Sequence, residues 1–370
     1  MKFIVCGDIH ITDKMPYSSK QNDRSKELEA AWSEVCKAAR EENIKYIVIV
    51  GDVFDDINAS PKSFAIFSKM MEMSKGIHKI MVAGNHEVDE DGNAIVKELG
   101  DYEKDLSITC PLPEHKSRCF PISDDADLLM FDYHHSYADL KISIREMLRK
   151  SKAAYKIFVG HQPIEGMEMR DTMLCTHGIP KSWFKKNGII AKNFDMVLMG
   201  DFHRMQILKG DVEGYYTGSL IQQSFRDEGG DNSFLIVDLD GEYSAEVSFR
   251  YTHAPKFHTL KFVEGKIDPD IRELSKNCYV KITVTGTQEY IDSINIEEVK
   301  KEVIEKYEPI SLIVSNPTIT GSIPAIENSS VSRLMSDEEL VDKIVSSDIS
   351  ILPDKLRYDV GIKYLRRARK

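Results

Sequence analysis

FIVCGD (residues 3–8), YIVIVGD (46–52), KIMVAGN (79–85), KIFVGH (156–161) and DMVLMGD (195–201) share one pattern: an apolar run, a glycine, then a polar residue. Runs of this length and composition, alternating with helical patterns through about residue 250, are the signature of a layered sheet-and-helix domain. In such folds ligands gather outside the carboxyl ends of the strands. Asp8, Asp52, Asn85, His161 and Asp201 are therefore expected to converge although nearly 200 residues separate the first from the last. Glycine before each allows a sharp turn and a close backbone approach. One such ending is weak evidence, whereas five in a single chain point to a built site.

Working outward, KELEAAWSEVCKAAR (26–40) places Leu28, Trp32, Val35 and Ala39 on one face, which predicts an amphipathic helix leading into the strand at 46–50. FLIVDLDG and YSAEVSFRYT predict a hairpin that closes the large domain near residue 255. A smaller α/β unit is expected over 256–314, with a strand in CYVKITVTG (278–286) and a helix in IEEVKKEVIEKY (296–307). SNPTITGSIPAIENSSVS (315–332) reads as a linker. Residues 333–370 read as two short helices, the first opened by a capping signal at Ser336–Glu339.

Composition narrows the class. The chain has 370 residues, 42% hydrophobic and 29% charged, and no run approaches the eighteen or so apolar residues of a membrane helix. Its start, MKFIVCGDIH, reads as a core strand rather than a targeting signal. Six scattered cysteines without C-x-x-C spacing argue against zinc-thiolate sites and secreted disulfide frameworks, and so for a reducing cytoplasm. The net charge of −11 is awkward for a protein that meets nucleic acid, so any such contact must be local, metal-assisted or shared with a partner.

Three of the strand endings carry a further candidate: His10 after Asp8, His86 and Glu87 after Asn85, and His203 after Asp201. Carboxylate, amide and imidazole donors without thiolates suit a borderline-to-hard divalent ion such as manganese. Two such ions about 3.5 to 4 Å apart can neutralise a phosphodiester and activate a water. The expected bridge between them is the Asp52 carboxylate. His134 and His135 also follow a strand-like run, where a place near the substrate competes with a structural one, and Tyr216, Gly218, Ser219 and Gln223 lie in a stretch whose resemblance to a known family, given below, sets a place in the substrate groove against one in the core.

The order D-x-H, G-D, G-N-H-E, G-H, G-D-x-H resembles the calcineurin-like metallophosphoesterases, whose pattern is D-x-H, G-D, G-N-H-D/E, G-H, G-H-x-H. VFDDINASPKSF (53–64), YYTGSLIQQSF (215–225) and the appended parts look like the SbcD-type recombination nucleases, including phage versions. The resemblance implies a four-layered α/β sandwich of two facing sheets flanked by helices, followed by a small α/β capping domain and C-terminal helices. It implies Asp8, His10, Asp52 and His203 at one metal, Asp52, Asn85, His161 and Asp201 at the other, and His86 as the catalytic acid. Asp201 departs from the family's histidine and favours manganese or magnesium over softer ions. The resemblance further implies a manganese-dependent endo- and exonuclease, homodimeric, acting on DNA in a bacterial or phage-infected cell, against which stand a phosphomonoesterase or cyclic-nucleotide phosphodiesterase on the same scaffold and a non-catalytic DNA-repair scaffold. Its expected partner is an SbcC-type coiled-coil ATPase docked on 333–370.

Overall fold

A computed structural model describes residues 1–13, 15–18, 23–89, 94–95, 107–111, 116–170, 173–208, 210–239, 245–266 and 274–320. The expected C-terminal helices, and all but the first six residues of the expected linker, lie outside them.

Two six-stranded sheets form the centre. The first is built from β1 (Lys2–Cys6), β2 (Tyr46–Ile49), β3 (His78–Met81), β4 (Ile108–Thr109), β13 (Ser233–Leu239) and β14 (Ala245–Tyr251), in the order β14-β13-β1-β2-β3-β4. The second is built from β5 (Ser117–Pro121), β6 (Ala126–Phe131), β7 (Tyr155–His161), β10 (Met196–Gly200), β11 (Gln206–Ile207) and β12 (Glu213–Tyr216), in the order β11-β12-β10-β7-β6-β5. Strands β1 to β4 run parallel, with β4 at the edge, as do β6, β7, β10 and β12. Antiparallel strands close one edge of the first sheet, β13 and β14, the expected hairpin, and both edges of the second, β5 and β11.

Side-chain alternation along each strand builds three cores. Phe3, Val5, Val48 and Val50 of the first sheet meet Leu128, Met130, Ile157 and Val159 of the second. Ile4, Cys6, Ile47 and Ile49 point the other way, onto helices α1 (Ser25–Glu41) and α2 (Pro61–Met73). Leu129, Phe131 and Phe158 pack under α3 (Tyr137–Lys150). The result is the expected four layers, and burial on both faces explains why the strands read as nearly unbroken apolar runs. Among the described residues, no helix is long and apolar enough to cross a membrane.

A hairpin, β8 (Glu168–Arg170) with β9 (Met173–Leu174), extends from the second sheet's connections. Beyond the hairpin β13–β14, a small sheet holds β15 (Phe257–Val263), β16 (Tyr279–Gly286) and β17 (Ser311–Val314), with β18 (Thr318–Ile319) pairing the last residues of β16. Helices α4 (Gln288–Ser293) and α5 (Ile296–Tyr307) join these strands, and α5 matches the stretch expected from sequence. By packing, the described residues of Met1–Val284 and of Asn295–Asn316 form one compact unit, and Thr285–Ile294 and residues 317–320 fall outside it.

One buried cation ties β15 and β16 to the front of the chain. Arg24 is fully buried and donates to the carbonyls of Pro16 (3.1 Å), Gln223 (3.0 Å) and Gln222 (2.6 Å) and to the Glu27 carboxylate (3.1 Å). The Phe257 and Tyr279 rings each lie 5.1 Å from its guanidinium. Removing a buried partner of this kind costs about 3–5 kcal/mol. Arg24→Ala is therefore expected to lower unfolding free energy by that amount in urea, with Arg24→Lys recovering little because an ammonium cannot fork among four acceptors. A loss under about 1 kcal/mol would contradict this anchoring.

Candidate metal centre

The inner strands of both sheets end on one rim, and the polar residues after them meet there. Asp8 follows β1, Asp52 lies three residues past β2, Asn85 four past β3, His161 ends β7, and Asp201 follows β10. Asp8 (φ 49°), His10 (51°), Asp52 (50°) and Asp201 (109°) all hold left-handed backbone. Such conformations cost on the order of 1–3 kcal/mol each in a non-glycine residue and collect where a site demands them. Crowding explains two of the preceding glycines: a Cβ on Gly84 would overlap the Asp52 carboxylate, and one on Gly51 would overlap the His161 ring.

Three histidines are oriented alike. His161 donates its Nδ1 hydrogen to the Val50 carbonyl at 2.7 Å, while Nδ1 of His10 meets Asp55 Oδ1 at 3.2 Å and Nδ1 of His203 meets Asp227 Oδ1 at 3.1 Å. Each bond fixes the ring and turns Nε2 inward, as outer partners of metal-binding histidines do. The inward atoms then crowd. Nε2 of His10 and Nε2 of His203 face each other at 3.0 Å, and Nε2 of His161 faces Asn85 Oδ1 at 2.9 Å and Asp52 Oδ2 at 3.3 Å. Asp201 Oδ1 lies 3.9 Å from the same nitrogen. With Nδ1–H committed outward, these are lone pairs aimed at lone pairs, an arrangement that only a cation or a proton relieves.

The donors fall into overlapping groups. Asp8, His10 and His203 offer ligand atoms within 4.8 Å of one another, as do Asp8, Asp52 and His161. All seven residues expected to hold metal are thus brought to one place. The donor set is oxygen and imidazole throughout, which fits hard-to-borderline divalent ions. Asp8 and Asp52 are also held from behind: the Asp201 amide donates to Asp8 Oδ1 at 3.1 Å and the His86 amide to Asp52 Oδ1 at 3.1 Å.

Protonation reflects the same crowding. Burial opposes a charge on His161, but the Asp52, Asp8 and Asp201 carboxylates outweigh it and raise the ring to about 10. Burial likewise opposes a charge on His203, and Asp227 outweighs it, raising the ring to about 9. Asp201 is raised to about 6, by burial first. Asp52 stays well below the carboxylate range: burial would raise it, and His161 more than cancels that.

His86 stands beside the cluster, half-exposed, its Nδ1 hydrogen donated to the Asp55 carbonyl at 2.9 Å and its ring edge-on to His10 with centroids 4.8 Å apart. Asp55 and Asp227 carry no signal in the sequence pattern. Asp55 reaches both His10 and His86 (3.2 and 3.8 Å), and Asp227 also accepts the amides of Gln223 and Ser224. Glu87 departs from expectation: it is buried away from the ligands, accepting the amides of Phe54 and Gly84 at 2.9 Å, and burial raises it to about 8. His134 is buried and bonded to the Asp132 carbonyl and Ser143, a core role, whereas His135 is exposed against the Asp89 carbonyl. Of the late motif, Tyr216 is core and bonds the Gln162 carbonyl; Gln223 alone among those named lines the cleft above the cluster.

Because the folded pKa values of His161 and His203 exceed the unfolded value of about 6.5, their contribution to stability is full below that pH and lost as pH rises through about 9–10. The metal-free chain should therefore melt at falling temperature between about pH 7 and 10. Added manganese should raise the melting temperature more at the alkaline end, where no proton competes. A metal-free melting temperature that is flat or rises over this range would contradict the electrostatics described.

The chain is 23% identical over 260 residues to an uncharacterized metallophosphoesterase of Bacillus subtilis, a match covering 68% of this chain and 59% of that protein. Among solved structures it is similar to a dimetal phosphatase from Danio rerio, at 11% identity over 68% of this chain and 96% of the other, with a TM-score of 0.43. It is similar also to the Pseudomonas putida nuclease MPE, at 13% identity over 63% and 83%, with a TM-score of 0.28. A family model for calcineurin-like phosphoesterases matches residues 1–205, a stretch that runs from before Asp8 to beyond His203. That is more than half of the 370 residues, and the chain belongs to the calcineurin-like phosphoesterase family, metal-dependent phosphoester hydrolases that typically hold two divalent ions.

Proposed function

We propose that this chain is a manganese-dependent DNA nuclease that cuts phosphodiester bonds by a two-ion mechanism. The observation that carries the reading is the cleft over the cluster. It measures about 840 Å³ and is walled by the aromatic rings of Tyr17, Tyr133 and Phe225 and by the cations Arg204, Arg226 and Lys281. Rings stack on bases of any identity and cations meet the flanking phosphates, so a nucleotide chain uses this wall fully. A small phosphomonoester would leave most of it unused.

In this reading Asp8, His10, Asp52 and His203 hold one ion, and Asp52, Asn85, His161 and Asp201 the other. When bound, such a pair neutralises the phosphate and makes a water nucleophilic near neutral pH. The chain's own groups do the rest. Asp55 and Asp227 hold the rings of His10 and His203 in the productive tautomer. His86 lines the cleft with Nδ1 tied to the Asp55 carbonyl, so only Nε2 is presented to substrate. As an imidazolium it donates that proton to the departing oxygen. The Asp201 carboxylate, where the family carries histidine, adds charge at the second ion and supports manganese or magnesium there.

The biological setting follows the same resemblance: a cytoplasmic homodimer serving as nuclease subunit in recombination and double-strand-break repair, with an SbcC-type ATPase docked through residues 333–370. Residues 1–255 form its nuclease domain, 256–314 a capping domain and 315–332 a linker. The acidic balance of −11 supports a subunit that shares the holding of DNA with a partner.

Linear duplex DNA and a small phosphomonoester, each with manganese, are the substrates to compare. Duplex cleavage is expected to dominate, and His86→Asn should slow it about 10²–10⁴-fold while metal content stays at the wild-type level. Preferential turnover of the monoester would replace the nuclease reading with a phosphatase, and turnover of neither would leave a non-catalytic scaffold. Loss of metal in His86→Asn would make His86 a ligand.

A further inference from the structure

Residues 141–156 and 181–194 together carry ten lysines and arginines against one acid, Glu146, in a chain with a net charge of −11. Helix α3 and the loop after the short turn at Lys181–Phe184 bring these cations onto one surface. Lys141, Arg145 and Arg149 sit on α3 at four-residue spacing, so they stand in a row about 6 Å apart. Opposite them are Lys185, Lys186 and Lys192. The two rows border adjoining depressions that share Lys141, Asn187 and Ile189. Among the described residues none of the six forms an ion pair, whereas the neighbouring Lys150 is paired with Glu146 at 2.8 Å. Against these six cations the depressions hold one acid, Asp211, whose carboxylate accepts the Lys186 amide at 2.8 Å, and the excess of like charge is of the kind that an external polyanion relieves.

The row is continuous with the candidate metal centre. Tyr137, the first residue of α3, lines the catalytic cleft, and Lys141, Arg145 and Arg149 follow it at successive four-residue steps. The helix is thus a rail that starts in the cleft and carries its cations roughly 6, 12 and 18 Å away. Trp183, with Lys141 Nζ 5.6 Å from its ring, and the side chains of Asn187 and Asn193 add surface along the way. A small anion would call for donors converging on a point, and these cations are spread along a line instead.

We propose that this surface is a track for the phosphate backbone of DNA, holding the chain that extends from the scissile bond beyond the cleft. The inference rests on the nuclease reading above. It makes local binding compatible with an acidic protein, because this strip of the second sheet's helical face is strongly positive.

The test uses full chains carrying Lys141→Glu, Arg145→Glu and Arg149→Glu together, or Lys185→Ala, Lys186→Ala and Lys192→Ala together. Two substrates are compared: bis(4-nitrophenyl) phosphate, which is too small to leave the cleft, and a long linear DNA duplex. Turnover of the small diester should stay within about twofold of wild type, since the changed residues lie outside the cleft. For the duplex, kcat/KM should fall at least about tenfold, and its dependence on log salt should flatten by about 0.9 for each phosphate that the variant no longer neutralises. Unchanged duplex kinetics and salt dependence in both variants would overturn the track, as would variants that keep duplex kinetics but lose binding to phosphatidylserine vesicles. A wild-type chain that turns over the diester and cuts no duplex would instead overturn the nuclease reading beneath it.

Discussion

Lone pairs of His10, His203, His161, Asn85 and Asp52 point at one another across about 3 Å inside a buried rim, and the fold around them serves to keep them there. Without a cation or a proton among them, such an arrangement would push apart. Each element holds it closed: the Val50 carbonyl and the Asp55 and Asp227 carboxylates lock the rings from outside, and backbone amides lock Asp8 and Asp52. The left-handed turns after β1, β2 and β10 add strain of their own. Two sheets whose inner strands all end on one rim can carry that strain, because the apolar core between and around them is extensive and fully buried.

The same convergence gives the chemistry its direction. The ligands enter from both sheets, so the cluster sits on the seam between them and the cleft opens above it. His86 is placed one residue beyond Asn85, close enough to be tied to Asp55 yet left open to solvent on its other nitrogen. Three carboxylates face three imidazoles in the cluster, and the carboxylates hold protons on His161 and His203 that a divalent ion would displace.

How much of this could be read from sequence depends on what each residue follows. Asp8, Asp52, Asn85, His161 and Asp201 follow apolar runs and glycine, so strand period and position mark them, and the layered fold comes with them. Asp55 and Asp227 follow no such run. They act across 45 and 24 residues on the far nitrogen of a ring, a relation that only the folded chain displays. Glu87 and His134 carry the right chemistry in the right neighbourhood but point into the core, where amide and hydroxyl partners hold them. The cations on α3 look in sequence like an ordinary solvated face, and their imbalance emerges only when the 181–194 loop is laid beside them.

The crowded rim has the donors of a two-ion site. Anomalous diffraction from manganese-soaked crystals tests it directly. Two peaks are expected, one among Asp8, His10 and His203 and one among Asn85, His161 and Asp201, with the Asp52 carboxylate between them. A single peak, no peak, or ions bound elsewhere on the acidic surface would contradict it.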